Sequence, residues 1–279
     1  MTGLIWLNVL IVGLIALAAA VILHITAQKF AVPANPLADK IETLLPQANC
    51  GACGKAGCCD FAKACASADK DSFAQLYCPV GGRKVMQNIA DVLGYAPADK
   101  AESCAVLRCN GSCQNAPQKN CYTGLHNCRV ANMASVGSSG CPDGCLRFGD
   151  CVSVCKFNAL HIDAQTGLPV VDASKCTSCG ACVNICPRHL FEIRPMENNR
   201  QVYVACRNKQ KGAVARKNCL TACIACQKCA KINPEIKIEN NLSYIPASVS
   251  PEIFGPELAK SCPTGAIIYK NAVKGEGHE

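Results

Sequence analysis

Aromatic side chains are scarce: they make up 5% of the 279 residues, with one Trp, six Tyr and seven Phe. Leu and Phe also thin out after residue 50. A polar part so poor in large apolar side chains cannot close one large core. Several small units are expected, and small units need a staple beyond hydrophobic burial. Charge is missing altogether from residues 1–28, which contain no Asp, Glu, Lys or Arg. Acid is missing from Arg200 to Lys231, which holds eight Lys and Arg residues. No G-x-G-x-x-G run follows a strand pattern, so nicotinamide and flavin chemistry are not expected on this chain.

Cysteine is abundant instead, with 25 residues. Disulfide scaffolds are usually short secreted chains with an even count. This chain is long, its count is odd, and its cysteines fall in tracts at metal-ligand spacing. Metal binding in a reducing compartment is the better reading.

About 20 apolar residues cross a bilayer as a helix, and Leu4 to Ile25 meets that length. No basic stretch precedes the run, as a cleaved signal would require. Lys29 is the first charged side chain, and Lys and Arg concentrate on the cytoplasmic side. Residues 1–28 therefore read as a single-pass anchor, with the N-terminus outside and residues 29–279 in the cytoplasm. Trp6 falls at the outer interface. Asn8 and His24 are the polar exceptions, and His24 lies near the inner end, within reach of the headgroups. Net charge is +8, and the acid-free stretch reads as a docking face for an acidic partner through Lys209, Lys211, Arg216 and Lys217. The bland alternative is a solvated loop. Nucleic acid is not expected, because no recognition motif accompanies the basic residues.

Local signals place the smaller elements. A Pro-rich linker (31–36) leads to a helix capped by Asn35, opened by Pro36 and ended by Pro46. Helices are also expected in "CCDFAKACASA", in "RKVMQNIADVLG" with Gly94 as its stop, and in "HNCRVANMA". Strands are expected at 104–109 and 202–206. "PADKAE" (97–102) reads as a boundary, and the tail from Asn271 as disordered. Residues 141–190 and 219–268 look like two versions of one unit.

"CTSCGACVNICP" is a strict C-x2-C-x2-C-x3-C-P run. In two-cluster ferredoxins the fourth cysteine of such a run serves the other cluster. Cys176, Cys179 and Cys182 are thus expected to bind one [4Fe–4S] cluster with Cys155. Cys141, Cys145 and Cys151 are expected to bind a second with Cys186. Zinc, which favours two C-x2-C knuckles, fits less well. Cys50, Cys53, Cys58 and Cys78 form a third set, with Cys59 and Cys65 as alternatives. Cys58 is preferred because Gly57 would let the loop turn before the helix. In the last unit Cys223, Cys226 and Cys229 form C-x2-C-x2-C, but Asn233 stands where a fourth cysteine would be. The tract before Cys262-Pro263 has no cysteine. All four ligands of one cluster are absent, and Cys223, Cys226, Cys229 and Cys262 remain for the other. Cys109, Cys113, Cys128, Cys206 and Cys219 are candidates for a fifth cluster of open ligand set, with buried free thiols as the alternative. Cys59, Cys65, Cys104 and Cys121 have no assigned role.

The anchor, "NCGACGKAGCCDFAKA", "LRCNGSC" and "CTSCGACVNICP" together resemble the B-subunit family of the Rnf electron-transport complex, over essentially the whole chain. It is most similar to the longer, cysteine-rich form. The chain departs from the family in a longer Cys58–Cys78 interval and in the cluster missing from the last unit. The resemblance implies an electron-relay subunit of a membrane ferredoxin–NAD oxidoreductase coupled to Na⁺ or H⁺ transport. It further implies soluble ferredoxin and other complex subunits as partners, with membrane lipid around the anchor. No catalytic side chain is expected. The fold class expected is α+β in small metal-stapled units: an anchor (1–28), an N-terminal 4Fe-4S domain (29–96), a cysteine-containing connector (97–140), a two-cluster ferredoxin-like unit (141–205), a degenerate one-cluster unit (206–270) and a tail (271–279). At least four [4Fe–4S] clusters are expected.

Overall fold

The computed structural model describes residues 2–29, 35–96 and 101–271. The expected linker, the 97–102 boundary and the tail lie wholly or mostly outside the described residues.

Helix α1 (Thr2–Lys29) is continuous. Leu10, Leu14, Leu17, Ile22 and Ile25 on it are exposed, and no part of the described chain covers them. Its few polar groups satisfy themselves locally: Thr26 Oγ1 donates to the Ile22 carbonyl at 2.9 Å. Among the described residues no helix is long and apolar enough to cross a membrane.

A helical unit follows, made of α2 (Pro36–Leu44), α3 (Cys58–Ser67), α4 (Lys70–Phe73) and α5 (Gly82–Leu93). Asn35 caps α2, its Oδ1 accepting from the Leu37 and Ala38 amides at 3.1 and 3.4 Å, and Pro36 opens the first turn. Gly94, in the left-handed region at φ 71°, closes α5. Ile41, Phe61, Ala62, Phe73, Met86 and Ile89 are buried together as one small core. Gly57 acts differently from the expected turn former. Its backbone is extended, but a Cβ there would come within 2.8 Å of Asn49 Oδ1. That oxygen accepts from the Cys58 amide at 2.8 Å and takes the place of a cap. Gly57 supplies room rather than a turn.

The rest of the chain repeats one pattern twice. First come β1 (Ser103–Leu107), α6 (Cys128–Ala134), α7 (Asp150–Ser153), β2 (Leu160–Ile162), β3 (Pro169–Val171), α8 (Ala181–Ile185) and β4 (Phe191–Pro195). Then come β5 (Arg200–Val204), α9 (Gly212–Asn218), α10 (Lys228–Ile232), β6 (Lys237–Glu239), β7 (Leu242–Tyr244), α11 (Pro251–Ser261) and β8 (Ile267–Asn271). In each repeat the outer strands pair antiparallel, β1 with β4 and β5 with β8, around a central hairpin, β2–β3 or β6–β7. The segment expected as a connector therefore supplies the first strand of the first repeat. The repeats begin upstream of their cysteine tracts, near 103 and 200.

Two buried arginines and their partners lock the two repeats together. Arg108 pairs with Glu192 at 3.4 Å and donates through Nε to the Val204 carbonyl at 3.4 Å. Arg194 donates to the Ile245 carbonyl at 2.6 Å, and the Tyr244 hydroxyl donates to Glu192 at 3.0 Å. Val106, Tyr203 and Ala205 are buried between the strands. Two-stranded sheets are marginal alone, so this cross-repeat contact positions what lies around it.

Helix α11 occupies the place in the second repeat that α8 and its cysteine tract hold in the first. Ser250 caps it, and Leu258 buries fully against Ile245, Val249, Val204 and Ile267. Gly255 lets it approach β8, since a Cβ there would lie 2.4 Å from the Tyr269 ring. Leu258→Ala should therefore destabilise the second repeat by about 3 kcal/mol through cavity formation. The check is a lower midpoint for loss of that repeat in thermal or denaturant unfolding, with the unit built on α2, α3 and α5 unaffected.

Candidate metal centres

All 25 cysteines are free thiols. They are not spread evenly through the small cores but gather around recesses. Cys50, Cys53, Cys58 and Cys78 line one of about 310 Å³. Cys155, Cys176, Cys179 and Cys182 line a second of about 350 Å³. Cys223, Cys226, Cys229 and Cys262 line a third of about 360 Å³. A fourth, of about 420 Å³, is lined by Cys128, Cys145, Cys151 and Cys186. Each recess draws its thiols from a short tract plus one distant residue, or from several loops. Among the described residues no three Cys, His, Asp or Glu side chains converge tightly enough to hold a single metal ion.

The first three recesses bring together the residues that spacing groups. The fourth differs, because Cys128 stands where Cys141 was expected. The Cys128 amide donates to Asp150 Oδ2 at 3.0 Å, which draws the start of α6 onto α7. Cys141 is held elsewhere by Asn208, whose Nδ2 donates to its sulfur at 3.4 Å. No sequence signal marks this exchange. The first tract, "CPDGCLRFGDCVSVC", has irregular spacing and does not define its own first ligand.

Burial governs the electrostatics. It pushes the Cys151 thiol up to about 12, helped by the neighbouring Cys128 and Cys186 sulfurs. Cys182 is likewise pushed to about 12 by burial and then by Cys176 and Cys179. Such thiols stay protonated at neutral pH, so a metal must displace protons to bind. The backbone offers the opposite influence. Amides donate to sulfur from Gly81 to Cys78 at 3.4 Å, from Ala105 to Cys176 at 3.5 Å and from Leu190 to Cys186 at 3.4 Å. At Cys262 burial works against ionisation, yet amides of Thr264, Ile267 and Ala266 and the Thr264 hydroxyl hold it below the ordinary thiol value.

Side chains complete the lining. Thr177 Oγ1 is buried without a hydrogen-bond partner and lines the Cys155/Cys176 recess. A buried hydroxyl left unpaired is costly, and a sulfur-rich group in the recess would accept from it. In the Cys223/Cys262 recess the buried Ser243 hydroxyl lies 3.2 Å from Cys229 Sγ. Four thiols around a recess, with donors aimed at sulfur, fit an iron–sulfur cluster.

Residues 169–190 match the 4Fe-4S binding domain family, and residues 45–72 match a family described as a putative Fe-S cluster. The chain is 38% identical to the B subunit of the Na(+)-translocating ferredoxin:NAD(+) oxidoreductase complex of Acetobacterium woodii, over 92% of this chain and 75% of that protein. It is 36% identical to the B subunit of the proton-translocating ferredoxin:NAD(+) oxidoreductase complex of Clostridium ljungdahlii, over 92% of this chain and 89% of that protein. With the B subunit of the ion-translocating oxidoreductase complex of Methanosarcina acetivorans it shares 37% identity, over 78% of this chain and 80% of that protein. The chain belongs to this B-subunit family.

Within this B subunit, the remaining cysteines behave unequally. Cys59, Cys113 and Cys121 are exposed. Cys113, a candidate for the fifth set, lies against Gly167 instead, with its sulfur 2.8 Å from where a Gly167 Cβ would be. Cys65 is buried behind the first recess, and burial pushes its thiol up to about 12. Cys104 sits behind Cys176, and the hydrogen bond between them raises Cys104 and lowers Cys176. Cys109, Cys141, Cys206 and Cys219 come together at the contact between the repeats.

Asn233 is buried, and its Oδ1 accepts from the Glu235 amide at 2.8 Å. The tract that would complete a cluster with it is replaced by α11. Asn233→Cys should therefore add no iron. Ser243→Ala should remove the hydroxyl contact to Cys229 and make that centre harder to reduce. One hydrogen bond of about 1 kcal/mol corresponds to roughly 40 mV for one electron. EPR-monitored redox titration should show one midpoint moving negative by about that amount, with the others unmoved.

Proposed function

We propose that the chain is the electron-transfer subunit of a membrane ion-translocating ferredoxin:NAD oxidoreductase. It takes electrons from reduced soluble ferredoxin and relays them to partner subunits. The observation that carries this is the set of four recesses, each lined by four cysteines. The assignment follows the recesses: Cys50, Cys53, Cys58 and Cys78; Cys155, Cys176, Cys179 and Cys182; Cys128, Cys145, Cys151 and Cys186; and Cys223, Cys226, Cys229 and Cys262. Bound there, each [4Fe–4S] cluster supplies a one-electron redox centre. The chain's own residues position and tune: thiols ligate, amides and the Thr177 and Ser243 hydroxyls donate to sulfur, and apolar walls exclude water. The chain brings no acid, base or nucleophile of its own to the reaction, so nicotinamide chemistry falls to partner subunits.

Helix α1 serves as the anchor. Its 28 residues, Thr2–Lys29, carry no charge before Lys29, the sequence from Leu4 to Ile25 has the roughly 20 apolar residues a span needs, and the described apolar side chains of the helix are exposed. In this reading residues 29–279 lie on the cytoplasmic side of the cell membrane, supported by Lys29 at the end of the apolar run, since Lys and Arg concentrate on that side. The docking face for ferredoxin is the stretch around α9. Lys209, Lys211, Arg216 and Lys217 are exposed there, and α9 itself carries no acidic residue.

Anaerobically purified protein should be brown and rich in iron and sulfide; a colourless, zinc-loaded protein overturns the reading. Cys262→Ala should lose one cluster, about four iron atoms per chain, and an unchanged iron count removes Cys262 from the ligand set. Replacing Lys209, Lys211, Arg216 and Lys217 with Glu should raise the KM for ferredoxin at least several-fold at low salt, and the difference should shrink as salt screens the charges.

A further inference from the structure

We propose that Cys109, Cys141, Cys206 and Cys219 hold a fifth [4Fe–4S] cluster that bridges the two ferredoxin-like repeats. This rests on the reading that the four-cysteine recesses hold clusters, and it extends that reading to thiols that no sequence tract groups.

Four separate segments supply the four sulfurs. Cys109 follows β1, Cys141 lies in the loop after α6, Cys206 follows β5 and Cys219 follows α9. Gly111 is the cradle between two of them. A Cβ on Gly111 would lie 3.5 Å from Cys219 Sγ and 3.6 Å from Cys109 Sγ. Asn208 ties the other two. It is almost fully buried, its Nδ2 donates to Cys141 Sγ at 3.4 Å, and its backbone amide donates to Cys206. Cys141 and Cys219 lie near enough to Cys109 to disfavour its ionisation, and Cys109 does the same to Cys206. The donors follow the pattern of the four recesses, with amides two residues on, at Gly111, Asp143 and Asn208, aimed at Cys109, Cys141 and Cys206. The Thr221 hydroxyl stands 3.2 Å from Cys219 Sγ. Arg188 adds a fixed positive charge. Its guanidinium donates to the Cys141 and Gly144 carbonyls at 3.1 and 2.6 Å and interacts with Cys141, Cys145 and Cys109.

Buried free thiols acting as small hydrophobes would not need this arrangement. Such thiols occur singly here, as Cys65 and Cys104 do behind their recesses. The quartet also has a place in the relay. The Cys145 amide donates to Cys109 Sγ at 3.4 Å, which joins the quartet to the Cys128/Cys145/Cys151/Cys186 recess. The Cys223 amide donates to Cys206 Sγ, which joins it to the Cys223/Cys226/Cys229/Cys262 recess. A cluster here connects the second repeat to the first.

The test uses full-length chain, purified anaerobically in detergent and reconstituted with iron and sulfide. Cys141→Ala, Cys219→Ala and the double variant are compared with the wild type by iron and sulfide counting, Mössbauer spectroscopy and EPR of the reduced protein. The wild type should hold about 20 iron atoms. Each single variant and the double should lose the same one-fifth of the iron, because all remove one cluster, and the other EPR signals should persist. Cys128→Ala should remove a different cluster, with a different signal. Losses that add in the double variant would show that Cys141 and Cys219 serve different centres, and would overturn the quartet. So would a wild type with about 16 iron atoms that the variants retain. A wild type without iron would overturn the cluster reading beneath it.

Discussion

Sulfur atoms from distant segments must face one common recess, and the remaining structure of this chain answers to that constraint. Among the described residues after α1, no sheet has more than two strands, and α4, α7, α8 and α10 are each about a turn long. Such elements bury too little apolar surface to hold themselves. The helical unit has a compact core around Ile41, Phe61 and Met86, but the core of the first repeat interleaves Leu107, Leu160 and Phe191 with Cys151 and Cys182. There the packing residues include the candidate ligands. Metal binding and folding are coupled in such sites.

The same constraint explains where hydrogen-bond donors go. Thiolates around a cluster carry net negative charge in a nearly dry setting. Amides aimed at sulfur, the unpartnered Thr177 hydroxyl and the half-buried Arg188 guanidinium all offset it. These donors differ from recess to recess, so the centres need not share a potential. The Cys223/Cys262 recess has hydroxyl contacts from Ser243 and Thr264 to its cysteine sulfurs. The Cys155/Cys176 recess has a thiol, Cys104, against Cys176. A relay along one chain is shaped by such differences rather than by the ligand type.

The second repeat has Asn233 and α11 where the first has Cys155 and a cysteine tract. Asn233 turns its side chain to its own backbone, and α11 fills the place of a cysteine tract with Leu258 and Val249. A single returning cysteine at 233 would find apolar side chains where its partners should be. Cys262 still lines the recess with Cys223, Cys226 and Cys229.

Much was legible in the sequence wherever the information is local. Asn35 and Pro36 announce α2, Gly94 ends α5, and C-x2-C-x2-C tracts state their own ligands because three thiolates on one short loop can cap one corner of a cluster. The grouping of Cys155 with the distant tract followed from the exchange of fourth cysteines in two-cluster ferredoxins, and that of Cys262 from its Cys-Pro sequence. Tertiary structure alone decided the rest. The pairing of β1 with β4 turned an apparent connector into the first strand of a repeat, because strand partners are chosen across the chain and not along it. The exchange of Cys128 for Cys141 depends on Asp150 and Asn208, which lie far from either cysteine in sequence. The gathering of Cys109, Cys141, Cys206 and Cys219 exists only once Arg108, Glu192, Arg194 and Tyr244 have locked the repeats together. Spacing along a chain encodes what one loop can reach, and a site built from four loops has no spacing to read.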